Sequence, residues 1–332
     1  MHTFEFIRAT DADAAIATAA RSKTAQQGAE VRFVAGGTTL LDLMKLEVET
    51  PARVIDINRL PFDKIEATAE GGLRIGATVR NSDLAHHPTV QRDYSVLSQA
   101  ILAGASAQLR NMATTAGNLV QRTRCVYFRD TTMPCNKRVP GTGCPAITGA
   151  NRMLAILGTS EHCIATNPSD MCVAMAVLEA TIHIEGSGGS RAIPFSDFHL
   201  LPGNTPERET VLEPGELITH VTLPPPIKGS KQFYLKLRDR ASYEFALASA
   251  AVVINVEEGA VTRVRVALGG VGTKPWRSPE AEAALENQAA TSANFRNAAE
   301  AALQEAKPQS ENGFKIELAK RCLTYALQQA MA

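Results

Sequence analysis

Four of the six cysteines in the chain, Cys125, Cys135, Cys144 and Cys163, fall in one stretch that begins "RCVYFRDTTMPCNKRVPGTGCPA". Thiolates are soft ligands, and four of them suit either a zinc ion or an iron–sulfur cluster. The intervals of 9, 8 and 18 residues lack the C-x2-C pairs of most structural zinc sites, which argues mildly against zinc. Disulfides are the third option, and a compartment that keeps thiols reduced disfavours them. Arg122, Arg124, Arg129, Lys137 and Arg138 could offset the charge of a thiolate-bound cluster, and Gly141 and Gly143 would let backbone N–H groups approach its sulfurs. A solvated basic loop with incidental cysteines is the alternative. Cys172 and Cys322 lie in helical patterns and read as small buried hydrophobes.

A second chemistry is written in glycine. "VRFVAGGTTLL" places Gly36 and Gly37 between a strand and a helix start, where free N–H groups and close backbone approach favour a phosphate. A plain tight turn has the same pattern. The loop is neither G-x-G-x-x-G nor a Lys-Ser/Thr phosphate loop, which disfavours a Rossmann site and an ordinary NTPase. "NMATTAGNLVQ" offers a second small, polar loop at Thr114, Thr115, Ala116, Gly117 and Asn118, and a capped helix with a glycine behind it looks alike. The seven histidines, His2, His86, His87, His162, His183, His199 and His220, form no paired motif.

The elements that must carry these residues are read from periodicity. A helix is expected over Asp11–Gln27, capped by Asp11 or Asp13 and closed by Gly28, followed by a strand in "EVRFVAGG" and a helix with apolar residues at Leu40, Leu41, Met44 and Val48. "ARVIDINRL" reads as a strand, and "DKIEATAEGGLRIGATV" as a hairpin turning at Gly71-Gly72. Helices are expected over Asn81–His87 and Thr89–Gly104, divided by Pro88. "PSDMCVAMAVLEATIHIEG" reads as a capped helix running into a strand. "ELITHVTLPPP" is a strand stopped by prolines. Beyond them, "KQFYLKLRDRASYEFALASAAVVINVEEGAVTRVRVALGGV" mixes strands with an Ala-rich segment of either type, turning at Glu257-Glu258-Gly259. The tail from Glu280 to Ala332 has helical spacing.

With 332 residues, 45% of them hydrophobic, the chain can bury a sizeable core. Its zero formal net charge and 5% aromatic content argue against nucleic acid, and no apolar run reaches a membrane span of ~18 residues. The start lacks the basic n-region and apolar core of a secretory signal, so the chain by itself reads as cytoplasmic.

Taken together, "FVAGGTTLL", "TTAGNL", "PSD" and "YLKLRDRASYEFALASAAV" resemble the FAD-binding medium subunit of the xanthine dehydrogenase family of molybdenum hydroxylases. The likeness runs end to end, and is greatest to the FAD subunit of bacterial periplasmic aromatic aldehyde oxidoreductases. It implies an α+β fold: a two-part FAD-binding domain of the vanillyl-alcohol oxidase/p-cresol methylhydroxylase type, and a small C-terminal α+β domain built on a three-stranded antiparallel sheet with helices. The implied boundaries are 1–60, 61–226 with a cysteine-rich insert at about 122–165, and 229–332.

By the same resemblance, Arg32, Phe33, Val34, Ala35, Gly36, Gly37, Thr38, Thr39 and Leu40 form the first FAD loop, with the amides of 35–38 around the pyrophosphate. Thr114 to Asn118 form the second. Asp170, Ile218 and Lys236 complete the flavin site, Lys236 near the isoalloxazine. Ala116 stands where many members have glycine, which asks only that it avoid positive φ, and Glu244 stands where Asp is usual. Members with a similar insert bind a [4Fe–4S] cluster. Here the implied ligands are Cys125, Cys135, Cys144 and Cys163, with Cys163 preferred over Cys172 as the fourth. The resemblance also implies a molybdenum cofactor-binding large subunit, a [2Fe–2S] small subunit, and an electron acceptor that can be NAD, ferredoxin, quinone or oxygen. Periplasmic location would then come by co-export with a partner. Two other readings stand beside it: a self-contained FAD dehydrogenase or oxidase, and a zinc-stabilised interaction module.

Overall fold

In the computed structural model, which describes residues 1–332, the chain begins with β1 (Glu5–Arg8), α1 (Ala12–Ala19), β2 (Val31–Val34), α2 (Leu40–Lys45) and β3 (Arg53–Asp56). The three strands make a parallel sheet in the order β1-β3-β2. The helix α1 makes the crossover such a sheet needs. The Asp11 carboxylate caps α1 by accepting the Ala14 N–H at 2.7 Å. The helix stops at Ala19 and does not reach Gln27, because hydroxyls compete for the backbone beyond it: Ser22 accepts the Glu30 N–H and Thr24 the Gln26 N–H. Gly28, with φ +76°, serves the following turn.

The second unit opens with the hairpin β4 (Ile65–Ala67) and β5 (Leu73–Gly76), then α3 (Asn81–His86), α4 (Pro88–Asp93) and α5 (Ser95–Ala103). Pro88 occupies the first turn of α4, where its missing N–H costs nothing. Then follow α6 (Ala107–Met112), α7 (Thr115–Leu119), the cysteine segment with α8 (Val126–Arg129), and α9 (Asp170–Val177). The unit closes with β6 (Thr181–Gly186), β7 (Gly189–Pro194), α10 (Phe195–Phe198) and β8 (Leu217–Leu223). Its antiparallel sheet runs β4-β5-β8-β6-β7. Every residue of α9 is buried.

The third unit comprises β9 (Lys231–Leu237), β10 (Ala248–Glu257), β11 (Ala260–Gly269), β12 (Trp276–Arg277), α11 (Pro279–Leu285), α12 (Ser292–Ala302) and α13 (Phe314–Met331). The expected three-stranded sheet has four strands, in the order β12-β11-β10-β9. The fourth, β12, is two residues long and pairs with the end of β11, too short to leave a periodic signal. The ambiguous Ala-rich segment is the central strand β10. Both its faces are covered, by the cluster around α9 and by that around α13, so it shows no alternation. The neighbouring strand packs closely on the same helix: a Cβ on Gly269 of β11 would lie 2.5 Å from Val173 Cγ2 of α9. No helix is long and apolar enough to cross a membrane.

Candidate flavin cleft and cysteine pocket

The turn from β2 into α2 is shaped from outside as well as by its own residues. A Cβ on Gly36 would sit 1.9 Å from the Met112 carbonyl oxygen, so the first glycine loop lies directly against the chain leading into the second. Gly37 has φ +72°, a conformation glycine adopts without strain. Asn58, held by the Asp56 carboxylate at 2.7 Å, donates to the Ala35 carbonyl at 2.9 Å. Arg80 donates to Asn58 Oδ1 and to the Met112 carbonyl, joining the two loops. The amides of Ala35, Gly36, Gly37, Thr38 and Thr39 donate to no acceptor within the protein. They line a cleft, and successive free N–H groups in such a turn form a concavity suited to an anion.

The second loop faces the same cleft. Thr114 caps α7, its Oγ1 accepting the Gly117 N–H at 3.3 Å, while Thr115 turns inward and donates to the Val79 carbonyl. Ala116 lies in α7 without positive φ. Asn118 Oδ1 accepts from Ser169 Oγ at 2.6 Å, and Ser169 caps α9 by accepting the Cys172 N–H. The loop is thereby tied to the helix that begins with Asp170.

From Thr38, Thr39 and Gly117 the cleft continues into a cavity of about 790 Å³, the size of a ligand pocket, reaching Asp170 and Lys236. Lys236 Nζ donates to Asp170 Oδ2 at 2.8 Å and to the Ala103 carbonyl, and Tyr234 donates to Asp170 Oδ1 at 2.5 Å. The Asp170 and Lys236 side chains are 9% and 3% exposed. Burial, then the adjacent carboxylate, raises the Tyr234 phenol well above its usual range. Asn81, which the motifs did not mark, also lines this cavity, with its buried Oδ1 unpartnered.

Three of the expected residues line neither part of the cleft: Ile218 is packed in the main core on β8, Ala116 packs against the same core, and Thr115 is buried on the Val79 carbonyl. Glu216 and Gly215, close to Ile218 in sequence, reach the first part instead. Arg32 lines the first part, but its guanidinium is held by Glu49 and the Ala25 carbonyl. Glu244 pairs with Arg240 at 3.0 Å.

Cys125, Cys135 and Cys163 share one small apolar cluster with Phe128, and Cys144 packs against it. Cys172 and Cys322 belong to the two larger cores. Asn136 knits the cysteine segments together. It exchanges hydrogen bonds with Gly143, next to Cys144, and donates to the carbonyl of His162, next to Cys163. The Ala165 backbone N–H donates to Cys163 Sγ at 3.4 Å. Burial pushes the Cys125 thiol up to about 12 and raises Cys144 and Cys163. No three ligating side chains converge tightly enough for a single ion, for which Zn–S bonds of ~2.3 Å would be needed.

None of the histidines faces the Asp170–Lys236 cavity. His183 and His220 stack on each other at 4.1 Å, and burial lowers His199 to about 4.

Residues 2–226 match the family model of the FAD binding domain in molybdopterin dehydrogenase, and residues 233–330 that of the CO dehydrogenase flavoprotein C-terminal domain. The chain is 56% identical over 312 residues to the aldehyde oxidoreductase FAD-binding subunit PaoB of Escherichia coli (strain K12), covering 93% of this chain and 94% of that one. It is 28% identical to the glyceraldehyde dehydrogenase medium chain of Sulfolobus acidocaldarius, over 84% of this chain and 79% of that one. Among solved structures, carbon monoxide dehydrogenase from Hydrogenophaga pseudoflava aligns with a TM-score of 0.77 and 26% identity, covering 99% of this chain and 98% of that one.

Proposed function

The chain belongs to the FAD-binding medium subunits of the molybdenum hydroxylase family, and from that premise we propose that it is the electron-transfer subunit of an aldehyde-oxidising complex. In this reading a large subunit oxidises the aldehyde at a molybdenum cofactor and a small subunit carries two [2Fe–2S] clusters. This chain takes electrons from the small subunit and passes them to an external acceptor. Identity with the Escherichia coli aldehyde oxidoreductase subunit supports the aldehyde class.

The observation that carries the flavin assignment is the run of five unpartnered amides, Ala35 to Thr39, opening on a cleft that extends to the Asp170–Lys236 pair. Bound FAD supplies a carrier that exchanges electrons singly or in pairs. The free amides of 35–39 would hold its pyrophosphate, with Thr114 and Gly117 of the second loop on the facing wall. Lys236 and Asp170 set the charge of the far wall, with Tyr234 keeping a proton on Asp170 Oδ1's side.

We also propose a [4Fe–4S] cluster on Cys125, Cys135, Cys144 and Cys163. Their shared pocket and the Ala165 N–H on Cys163 Sγ support it. The segment has little regular structure, and four metal bonds would order it. A subsidiary, structural role is therefore favoured over electron relay.

The test is anaerobic addition of aldehyde to the assembled complex while flavin absorbance is followed. Substrate should bleach the flavin, and should still do so in a Cys135→Ser complex. A wild-type flavin that stays oxidised while the molybdenum centre turns over would overturn the electron-transfer role. Bleaching lost in Cys135→Ser with assembly intact would make the cluster a relay.

A further inference from the structure

Between the glycine loop and the cysteine pocket runs a chain of charges absorbed by neither site. Arg32 Nη2 contacts both Glu49 carboxylate oxygens at 2.8 Å. Arg122 pairs with Glu49 on one side and with Glu209 on the other. Lys137 Nζ completes the chain at 3.2 Å from Glu209 Oε1, and also donates to the Pro206 carbonyl at 2.8 Å. Glu49 is 2% exposed, and Arg122 and Lys137 are each 9% exposed. All five residues line the first part of the cleft, as does Cys163.

The arrangement ties three parts of the fold. Arg32 begins the glycine loop, Glu209 precedes β8, and Arg122 and Lys137 flank Cys125 and Cys135, with the Arg122 guanidinium 4.6 Å above the Phe128 ring inside the cysteine pocket. Three cations against two carboxylates leave one positive charge uncompensated. Burial alone would raise the Glu209 carboxyl, but Arg122 and Lys137 outweigh it and hold it at about 2. The other basic residues of the segment are engaged differently: Arg124 lies over Phe245, Arg129 pairs with Asp42, and Arg138 caps the Tyr127 and Phe128 carbonyls. Lys137 lies two residues after Cys135 and lines the first part of the cleft together with Cys163.

A metal centre held by four thiolates is anionic, and a buried anion demands nearby positive charge. We propose that the network Arg32–Glu49–Arg122–Glu209–Lys137 holds the cysteine pocket in register with the glycine loop and, through its one uncompensated positive charge, sets the potential of the metal centre. This rests on the cluster reading above. Its members are positioning residues: none ligates the metal.

The test is a redox titration of the cluster, monitored by electron paramagnetic resonance, in the assembled complex, with iron and FAD counted in each preparation. Lys137→Gln should shift the potential downward, Glu209→Gln upward, and Lys137→Arg should leave it near the wild-type value. Shifts of the same sign in the two glutamine variants, or no shift in either, would overturn the proposal. If Lys137→Gln loses its iron while keeping FAD, Lys137→Arg decides: iron restored supports the proposal, and iron lost again overturns it. A wild-type complex without this cluster would defeat the cluster reading itself, an outcome distinct from an intact wild-type cluster indifferent to these charges.

Discussion

The two candidate sites are built in opposite ways. The glycine loop is a backbone site on regular scaffolding, fixed by a strand, a helix and the adjacent Met112 carbonyl, and left with free N–H groups. The cysteine pocket has one four-residue helix and a short 3₁₀ turn. Side chains from distant parts of the sequence hold it: Arg122 to Glu209, Arg129 to Asp42, and Asn151 to the 310–311 turn. A backbone site is ready before its ligand arrives, whereas a pocket assembled by cross-links depends on each of them and on whatever its thiols bind.

The largest expected effect separates the two sites. Gly36→Val drives a side chain into the Met112 carbonyl, an overpacking that costs ~1–3 kcal/mol or more. It should abolish FAD retention and leave the iron in place. Cys135→Ser should do the reverse, losing the cluster and keeping FAD. Flavin and iron content of the two purified complexes checks both, and loss of both groups in either variant would break the comparison.

Next in size is Asp170→Asn, which leaves the Lys236 ammonium buried without its counter-charge. Breaking a buried pair this way costs about 3–5 kcal/mol, so the melting temperature should fall, and FAD should be held more weakly. Iron content should not change.

The same contrast explains what was legible in the sequence. Gly36-Gly37, Pro88, the Ser169–Asp170 helix start and the prolines after β8 act through local backbone chemistry, so their elements could be read directly. The early end of α1, the fourth strand β12 and the strand identity of β10 depend on competing hydroxyls or on burial from both sides, which periodicity does not encode. The charge network was invisible for a simpler reason: Arg122 lies 73 residues from Glu49 and 87 from Glu209. Nor does an apolar residue announce whether it faces a cleft or the core, as Ile218 shows.

A smaller effect is set by pH. Glu209 ordinarily titrates near 4.5, and in the fold it is held at about 2 by Arg122 and Lys137 against the burial that would raise it. A lowered carboxylate stabilises the fold fully above about pH 4.5, and that contribution is lost as pH falls toward about 2. Melting curves across this interval should be flatter for Glu209→Gln than for the wild type. The smallest effect belongs to Asp11→Ala, which removes an exposed helix cap far from both sites. It should lower the melting temperature only slightly and alter neither iron nor FAD.

The most direct test of the account is the iron and flavin content of the anaerobically purified wild-type complex, by elemental analysis and absorption spectrum. Two [2Fe–2S] clusters and one [4Fe–4S] cluster predict about eight iron atoms with one FAD. About four iron atoms with FAD retained would remove the cluster from this chain, and a folded complex without flavin would contradict the central claim.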